Sequence, residues 1–197
     1  AGNTNWNAAT QVQQSFSVAK TTQTITINST APAAATVGDG TYTPTASSSS
    51  GLSVVITVDA TSSAVCSISS GVVSMNSVGT CVLDFNQAGN GTYLAATQVQ
   101  QSFTVSQGTQ NITVTSTAPA AATSLGATYT PTATSSSGLS VAITVDATSS
   151  AVCSISGGVV SFLASGTCKL NFNQAGNTNW NAATQVQQSF SVAKATQ

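Results

Sequence analysis

The sequence predicts an all-β protein, a tandem array of small β-sandwich domains. Three observations carry this: an internal repeat of 87 residues, apolar side chains alternating with period two, and Gly, Pro, Ser and Asn clusters that divide the alternating runs at short intervals.

The repeat is exact in length. "AGN" begins at Ala1, Ala88 and Ala175, and residues 1–87 align with 88–174 without a gap, 63 of the 87 positions being identical. Residues 175–194 repeat 1–20 unchanged, whereas 88–107 differ from 1–20 at seven positions. Alternate copies are therefore closer than neighbours, which points to a duplicated unit of two domains. A period of 87 is too long for most solenoids and fits one β-sandwich per repeat.

The elements follow in order within each repeat. Ile25 and Ile27 share one face of a first strand in "TITIN". In "LSVVITVDA", Leu52, Val54, Ile56 and Val58 share a face. Cys66 shares its face with Ile68, and Cys81 with Leu83 and Phe85. The terminal strand "VQQSFSV" puts Val12, Phe16 and Val18 on one side. No helical stripe is visible. The copies test these faces, because solvent-facing positions tolerate polar swaps and core positions do not. Val82 becomes Lys169 and Asp84 becomes Asn171, while Cys81, Leu83 and Phe85 are kept as Cys168, Leu170 and Phe172. The kept set points inward. Val55 becomes Ala142 with its neighbours unchanged, and Met75 becomes Phe162, still apolar.

The fold frame is offset from the chain frame. Each "QSFSVAK" or "QSFTVSQ" reads as a closing strand, followed by "TQTITIN" or "TQNITVT" as an opening one. The expected division is 1–19 as closing strand of a preceding repeat, 20–106 and 107–193 as two domains, and 194–197 as the start of the next repeat. The extension "NQAGNxxWNAATQVQQSFSV" is expected to lengthen the last strand into a hairpin.

Composition narrows function. Of 197 residues only 4% are charged: three lysines and four aspartates, with no histidine. Three lysines cannot neutralise several phosphates, so nucleic-acid binding is not expected. No run of eighteen apolar residues is present, so this segment is not expected to insert into a membrane. With 41% hydrophobic residues the chain is not of disordered composition.

Four cysteines stand in two pairs, each fifteen apart: Cys66 with Cys81, and Cys153 with Cys168. Even numbers at a repeated spacing in an extracellular array read as disulfides Cys66–Cys81 and Cys153–Cys168. Free buried thiols are the alternative. Zinc would need further ligands that a chain without histidine does not offer.

The same stretches, "SSAVCSISSGVVSMNSVGTCVLDF" and "SSAVCSISGGVVSFLASGTCKLNF", resemble the C-terminal half of bacterial immunoglobulin-like domains of the invasin and intimin type. Gly71, Val73, Gly79, Thr80 and Leu83 fit that pattern, as do Gly158, Val160, Gly166, Thr167 and Leu170. The cysteine positions often hold Ala or Thr in the family, and the "NQAGN" extension departs from it. The resemblance implies tandem immunoglobulin-like sandwiches in the arrays of large surface adhesins, where most domains are stalk.

Catalysis needs an acid, base, nucleophile or metal. Serine and threonine abound, but neither His nor Glu is present to activate them. Asp59 and Asp146 occupy equivalent places in "TVDAT", the one aspartate position kept in both copies, and read as solvated strand ends that do not form a carboxylate pair. Calcium would want more carboxylates. No cofactor is expected. Aromatic residues are the remaining candidates. Trp6, Tyr93 and Trp180 align in "AGNxxWNAA", and Tyr42 and Tyr129 in "TYTPT". The first set is the candidate binding set, near a Gly-Asn turn.

The expectation is a non-enzymatic structural repeat of an extracellular or cell-surface fibre, filament or adhesin stalk, made of disulfide-stapled spacer domains. Its partners would be neighbouring repeats of the same chain or neighbouring chains of a fibre. The alternative is a module that binds surface glycans through Trp6, Tyr93 and Trp180.

Overall fold

A computed structural model describes residues 2–196; Ala1 and Gln197, the outermost residues of the two expected terminal segments, lie outside it. Two sandwiches follow one another, and equivalent elements are 87 positions apart. The first contains β1 (Ile25–Ile27), β2 (Ala35–Thr36), β3 (Thr41–Tyr42), β4 (Ala46–Ser48), β5 (Val55–Val58), β6 (Cys66–Ser69), β7 (Val72–Met75), β8 (Gly79–Asn86) and β9 (Val99–Ser106). One sheet runs β2-β9-β8-β5; facing it are β3-β7-β6 and the β1-β4 pair. All strand-to-strand pairings in this sandwich are antiparallel except β2 with β9, where Ala35 pairs with Val105 in parallel. This is the immunoglobulin-like arrangement of two sheets.

The second sandwich repeats the plan. It contains β10 (Ile112–Val114), β11 (Ala122–Thr123), β12 (Ala133–Ser135), β13 (Ala142–Val145), β14 (Cys153–Ser156), β15 (Val159–Phe162), β16 (Gly166–Asn173) and β17 (Val186–Ala193). The order β11-β17-β16-β13 reproduces the four-stranded sheet. The counterpart of β3 is reduced to a single bridge, Tyr129 to Val160.

Alternation explains the strands. In β8 Cys81, Leu83 and Phe85 are fully buried, while Val82 and Asp84 lie on the other, half-exposed face. Val73 and Val105 close the same core, and Val160, Leu170 and Phe172 do so in the second sandwich. Each such side chain contributes roughly 1.5–3 kcal/mol by leaving water. Register places Cys81 opposite Phe103 and Phe85 opposite Val99. The β6–β7 turn needs two left-handed residues. Ser70 at φ 50° and Gly71 at φ 79° supply them, and the second copy uses Gly157 and Gly158.

Two features go beyond the sequence reading. β8 and β9 do pair as a hairpin, but the ladder stops at Phe85–Val99. Residues 87–98 leave it, and Tyr93 instead bridges in parallel to Thr21 at the start of the repeat. Asn90 Oδ1 accepts bonds from the Thr92 and Tyr93 amides, which curls the segment back. The extension is thus a loop held by its own cap and not a longer strand. Residues 2–19, expected to be strand-forming, form no strand; one bridge joins Asn3 and Trp6. Val12, Phe16 and Val18 are exposed there, whereas Phe103, Val105, Phe190 and Val192, the counterparts of Phe16 and Val18, are buried, and Val99 and Val186, the counterparts of Val12, are half-buried. The strand pattern needs a partner sheet, and among the described residues this segment has none.

Candidate functional site

The cysteines link the two layers of each sandwich. Cys66 lies on β6 and Cys81 on β8, in opposite sheets. They are bonded, with 5.7 Å between Cα atoms, and Cys153 and Cys168 are bonded across 5.8 Å. All four are buried. Each bridge closes a loop within its own sandwich, which restricts the unfolded chain by about 3 kcal/mol in the loop-entropy picture.

A buried amide, missed in the sequence, ties each opening strand to the loop after β8 or β16. Gln23 is 6% exposed. Its Nε2 donates to Gln87 Oε1 and to the Leu94 carbonyl, while its Oε1 accepts from Ser50 Oγ. Gln110 repeats this set with Gln174, the Asn181 carbonyl and Ser137. A signal was present. Gln23 has the inward parity of Ile25 and Ile27, and Gln occupies that place in every copy. A buried amide left unbonded is costly, so its partners are part of the fold.

The three aligned aromatics occupy three different surroundings. Trp6 is 76% exposed and belongs to neither core. Tyr93 is half-buried beside Thr21. Trp180 reaches out of the second sandwich and packs against the core of the first. A Cβ added at Gly38 would meet Trp180 Cη2 at 2.5 Å. One added at Gly108 would meet the Val37 carbonyl and the same indole. Both glycines make room for the ring. Tyr42 and Tyr129 are interior instead. Tyr42 is edge-on to Phe103 at 5.7 Å and donates to Gln101 Oε1.

Trp180 belongs to a junction between the sandwiches. Asn177 Oδ1 accepts from the Asn179 and Trp180 amides, so the turn is shaped by its own cap. Asn179 Oδ1 then accepts from Ser77 Oγ at 3.0 Å and from the Val78 amide at 3.1 Å, both in the first sandwich. Behind them Gly108 donates to the Asn179 carbonyl and accepts from the Asn181 amide. Val37 donates to the Ser106 carbonyl, so the strand leaving the first sandwich is held up to the link. Gln107, between the two, donates to the Asn177 carbonyl. An open cleft of about 250 Å³ lies alongside, lined by Val37, Gly38, Asp39, Thr109, Ser136 and Trp180.

Asp59 and Asp146 are capping residues. Asp59 Oδ1 accepts from the Thr61 amide and hydroxyl at the start of a short 3-10 turn, and Asp146 does the same for Thr148. The Thr61 side-chain bond, then its amide, hold the Asp59 carboxyl below the usual range. Asp146 is lowered to about 2, first by the Thr148 hydroxyl, then by its amide, by Asn171 and by Lys169. One expectation is corrected here: the first sandwich holds two neighbouring carboxylates. Gln100 Nε2 donates to Asp84 Oδ1 at 2.7 Å and reaches Asp59 Oδ2 at 3.4 Å. Pairing of β5 with β8 sets Thr57 opposite Asp84 and so brings the two acids together. In the second sandwich Asn171 replaces one of them and donates to Asp146.

No helix among the described residues is long and apolar enough to cross a membrane. No family model and no curated protein matches the chain. Solved structures do. Human protocadherin-24 EC1-2 is 13% identical, over 81% of this chain and 90% of that one, with TM-score 0.34. Domains 1–6 of the surface layer protein SbsC are 17% identical over 89% of this chain and 28% of that one, with TM-score 0.35. Drosophila N-cadherin EC1-3 is 11% identical over 89% of this chain and 65% of that one, with TM-score 0.31.

Proposed function

We propose that this chain is a non-catalytic spacer of an extracellular or cell-surface fibre or adhesin stalk, made of immunoglobulin-like beads of residues 20–106 and 107–193 set at a fixed angle to one another. The observation that carries the reading is the junction. One sandwich passes to the next through Gln107, with no Gly/Pro-rich spacer, and Trp180 and Asn179 fasten the second to the first on both sides of that link. A flexible tether has no use for such contacts, whereas a stiff rod needs them. The bridges between Cys66 and Cys81 and between Cys153 and Cys168 suit an oxidising compartment, where such bonds persist. Small-angle scattering and interdomain residual dipolar couplings test the reading. A single elongated shape with one alignment tensor supports it; two independently tumbling bodies would remove it.

A second reading has one observation in its favour. Trp6 is exposed in the same "TNWN" sequence that places Trp180 beside the cleft. Aromatic faces of this kind stack on sugars, and the chain would then bind a surface glycan. Glycan arrays with Trp6→Ala, Tyr93→Ala and Trp180→Ala test this; binding lost with the fold unchanged supports it.

A further inference from the structure

The two copies differ at 24 of 87 positions, and thirteen of these fall in four short segments. They are 4–7 against 91–94, 20–21 against 107–108, 37–40 against 124–127, and 76–78 against 163–165. The first pair returns to "TNWN" at 178–181. Together these are the segments that meet at the junction between the sandwiches. The copies have therefore changed where one sandwich touches another, on both sides of the contact.

The changes match across the contact. In the junction described above, the first sandwich offers Gly38 and Ser77, and the second answers with Trp180 and Asn179. The far end of the second sandwich carries Leu125 and Ala164 at those places; the near end of the first carries Tyr93 and Thr92. The bulky ring over a glycine becomes a smaller ring facing a leucine. The amide acceptor and its hydroxyl donor disappear together. Two further polar positions turn apolar, one on each side: Asn76 becomes Leu163, and Asn181 corresponds to Leu94.

Leu125 bears two costs that nothing in its own sandwich offsets. It is 85% exposed, and its φ is 59°, a left-handed value that bulky side chains avoid. Its equivalent, Gly38, has φ 74° without that penalty. The Leu125 amide donates to the Phe162 carbonyl, next to Leu163, which is itself 48% exposed. At the near end of the first sandwich Leu94, whose amide donates to the Thr21 carbonyl, is 47% exposed beside Tyr93. Observed strain at an exposed apolar residue points to a contact elsewhere.

We propose that the Leu125 end of the second sandwich is a seat for the Tyr93–Leu94 loop of a second copy of this chain, so that copies join head to tail in a single order. The polar Gly38–Trp180 junction and the apolar Leu125–Tyr93 junction then alternate, and neither end fits the wrong partner: tryptophan would collide with leucine, and Asn179 would face Ala164 without its hydroxyl. Complementary pairs that exclude the mismatched combination are how repeated modules keep their order. The inference needs only the junction geometry and stands whether or not the protein is a spacer.

Trapping tests it in the whole chain. Ser77 Oγ and Asn179 Oδ1 are 3.0 Å apart in the existing junction, so Ala164→Cys and Thr92→Cys mark the equivalent places in the new one. The two single variants are mixed and mildly oxidised, and peptide mapping confirms that the native disulfides are intact. The mixed 164–92 dimer is expected about tenfold or more above either like-with-like dimer, because docking raises the local concentration of the matched thiols. In parallel, sedimentation of the unsubstituted chain is expected to show concentration-dependent association that is lost in Leu125→Asp and kept in Val55→Asp, a change at an exposed position on a sheet flank. Melting curves of both variants report that they are folded. Statistical yields of the three dimers, a monomer at every concentration, or association unaffected by Leu125→Asp would each overturn the proposal.

Discussion

The indole of Trp180 lies against the bare Cα of Gly38, 142 positions earlier in the chain and in the other sandwich, close enough that a methyl group there would meet the ring at 2.5 Å. A residue with no side chain and the largest side chain thus form one contact. Trp180→Ala should leave each sandwich folded and loosen the link between them by about 1–2 kcal/mol. Nuclear relaxation should then report two bodies with separate tumbling times. Gly38→Ala should act in the same direction, through both the ring and the left-handed φ of 74°. Unchanged tumbling in both variants would show that the contact does not set the angle.

Intact mass without reductant should lie about 4 Da below the reduced mass, as two disulfides require. Mapping should join Cys66 to Cys81 and Cys153 to Cys168. Replacing Cys66 and Cys81 together by Ala should cost the first sandwich about 3 kcal/mol and leave the second unaffected. Four thiols alkylated in native protein would contradict the bridges.

Gln23→Ala should destabilise the first sandwich by about 1–3 kcal/mol, since Gln87 Oε1 and the Leu94 carbonyl lose a buried donor. Denaturant melts measure this. The neighbouring Thr24, exposed on the outward face of the same segment, supplies the control. Thr24→Ala should change stability by less than about 0.5 kcal/mol. Equal losses in the two variants would show that the buried amide is not what ties the opening strand down.

Asp146 gives the acid limb a direction. Its folded pKa is about 2, below the ordinary value of 3.8. A depressed carboxyl adds stability above its unfolded pKa, and that contribution is lost as pH falls from about 4 towards 2. Between those values Asp146→Asn should flatten the decline in melting temperature of the second sandwich, and the Asp146 carboxyl carbon should titrate near 2. Titration near the ordinary value would mean that the Thr148 cap is open in solution.

Residues 20–106 should fold alone and melt cooperatively, because they hold every strand from β1 to β9. Residues 1–87 should not, because β9 is missing and the duplicate segment stands at the wrong end. A stable, cooperative 1–87 monomer would place the boundary of the folding unit at the "QAGN" turn.

Much of the fold was legible because its cause is local. The inward set Cys81, Leu83 and Phe85 showed itself through period two, and through the Val82 to Lys169 swap beside it. The nearness of Asp84 to Asp59 was not legible, since it depends on which residue of β5 stands opposite Asp84. Gln23 was hidden for another reason: polarity argued for the surface, and only its parity with Ile25 argued otherwise. Trp180 was found as an aromatic near a turn, but its role depends on space left by Gly38, which no local pattern records. The extension was read as part of a hairpin, which β8 and β9 do form, but the path of residues 87–98 between them was not legible, because the Asn90 cap and the Thr21 bridge decide it.

The parallel pairing of β2 with β9 has a mechanical consequence. These strands lie towards the two ends of their sandwich in the chain, so a pull applied through those ends slides one along the other. Ala35–Val105 and its neighbour Thr36–Ser106 are then loaded in shear, together, and not peeled one at a time. If the sandwich does give way, the chain still cannot extend fully. The bridge from Cys66 to Cys81 spans fifteen residues and holds their Cα atoms 5.7 Å apart. At about 3.3–3.6 Å per extended residue, roughly 45 Å of slack stays locked inside each bead under tension.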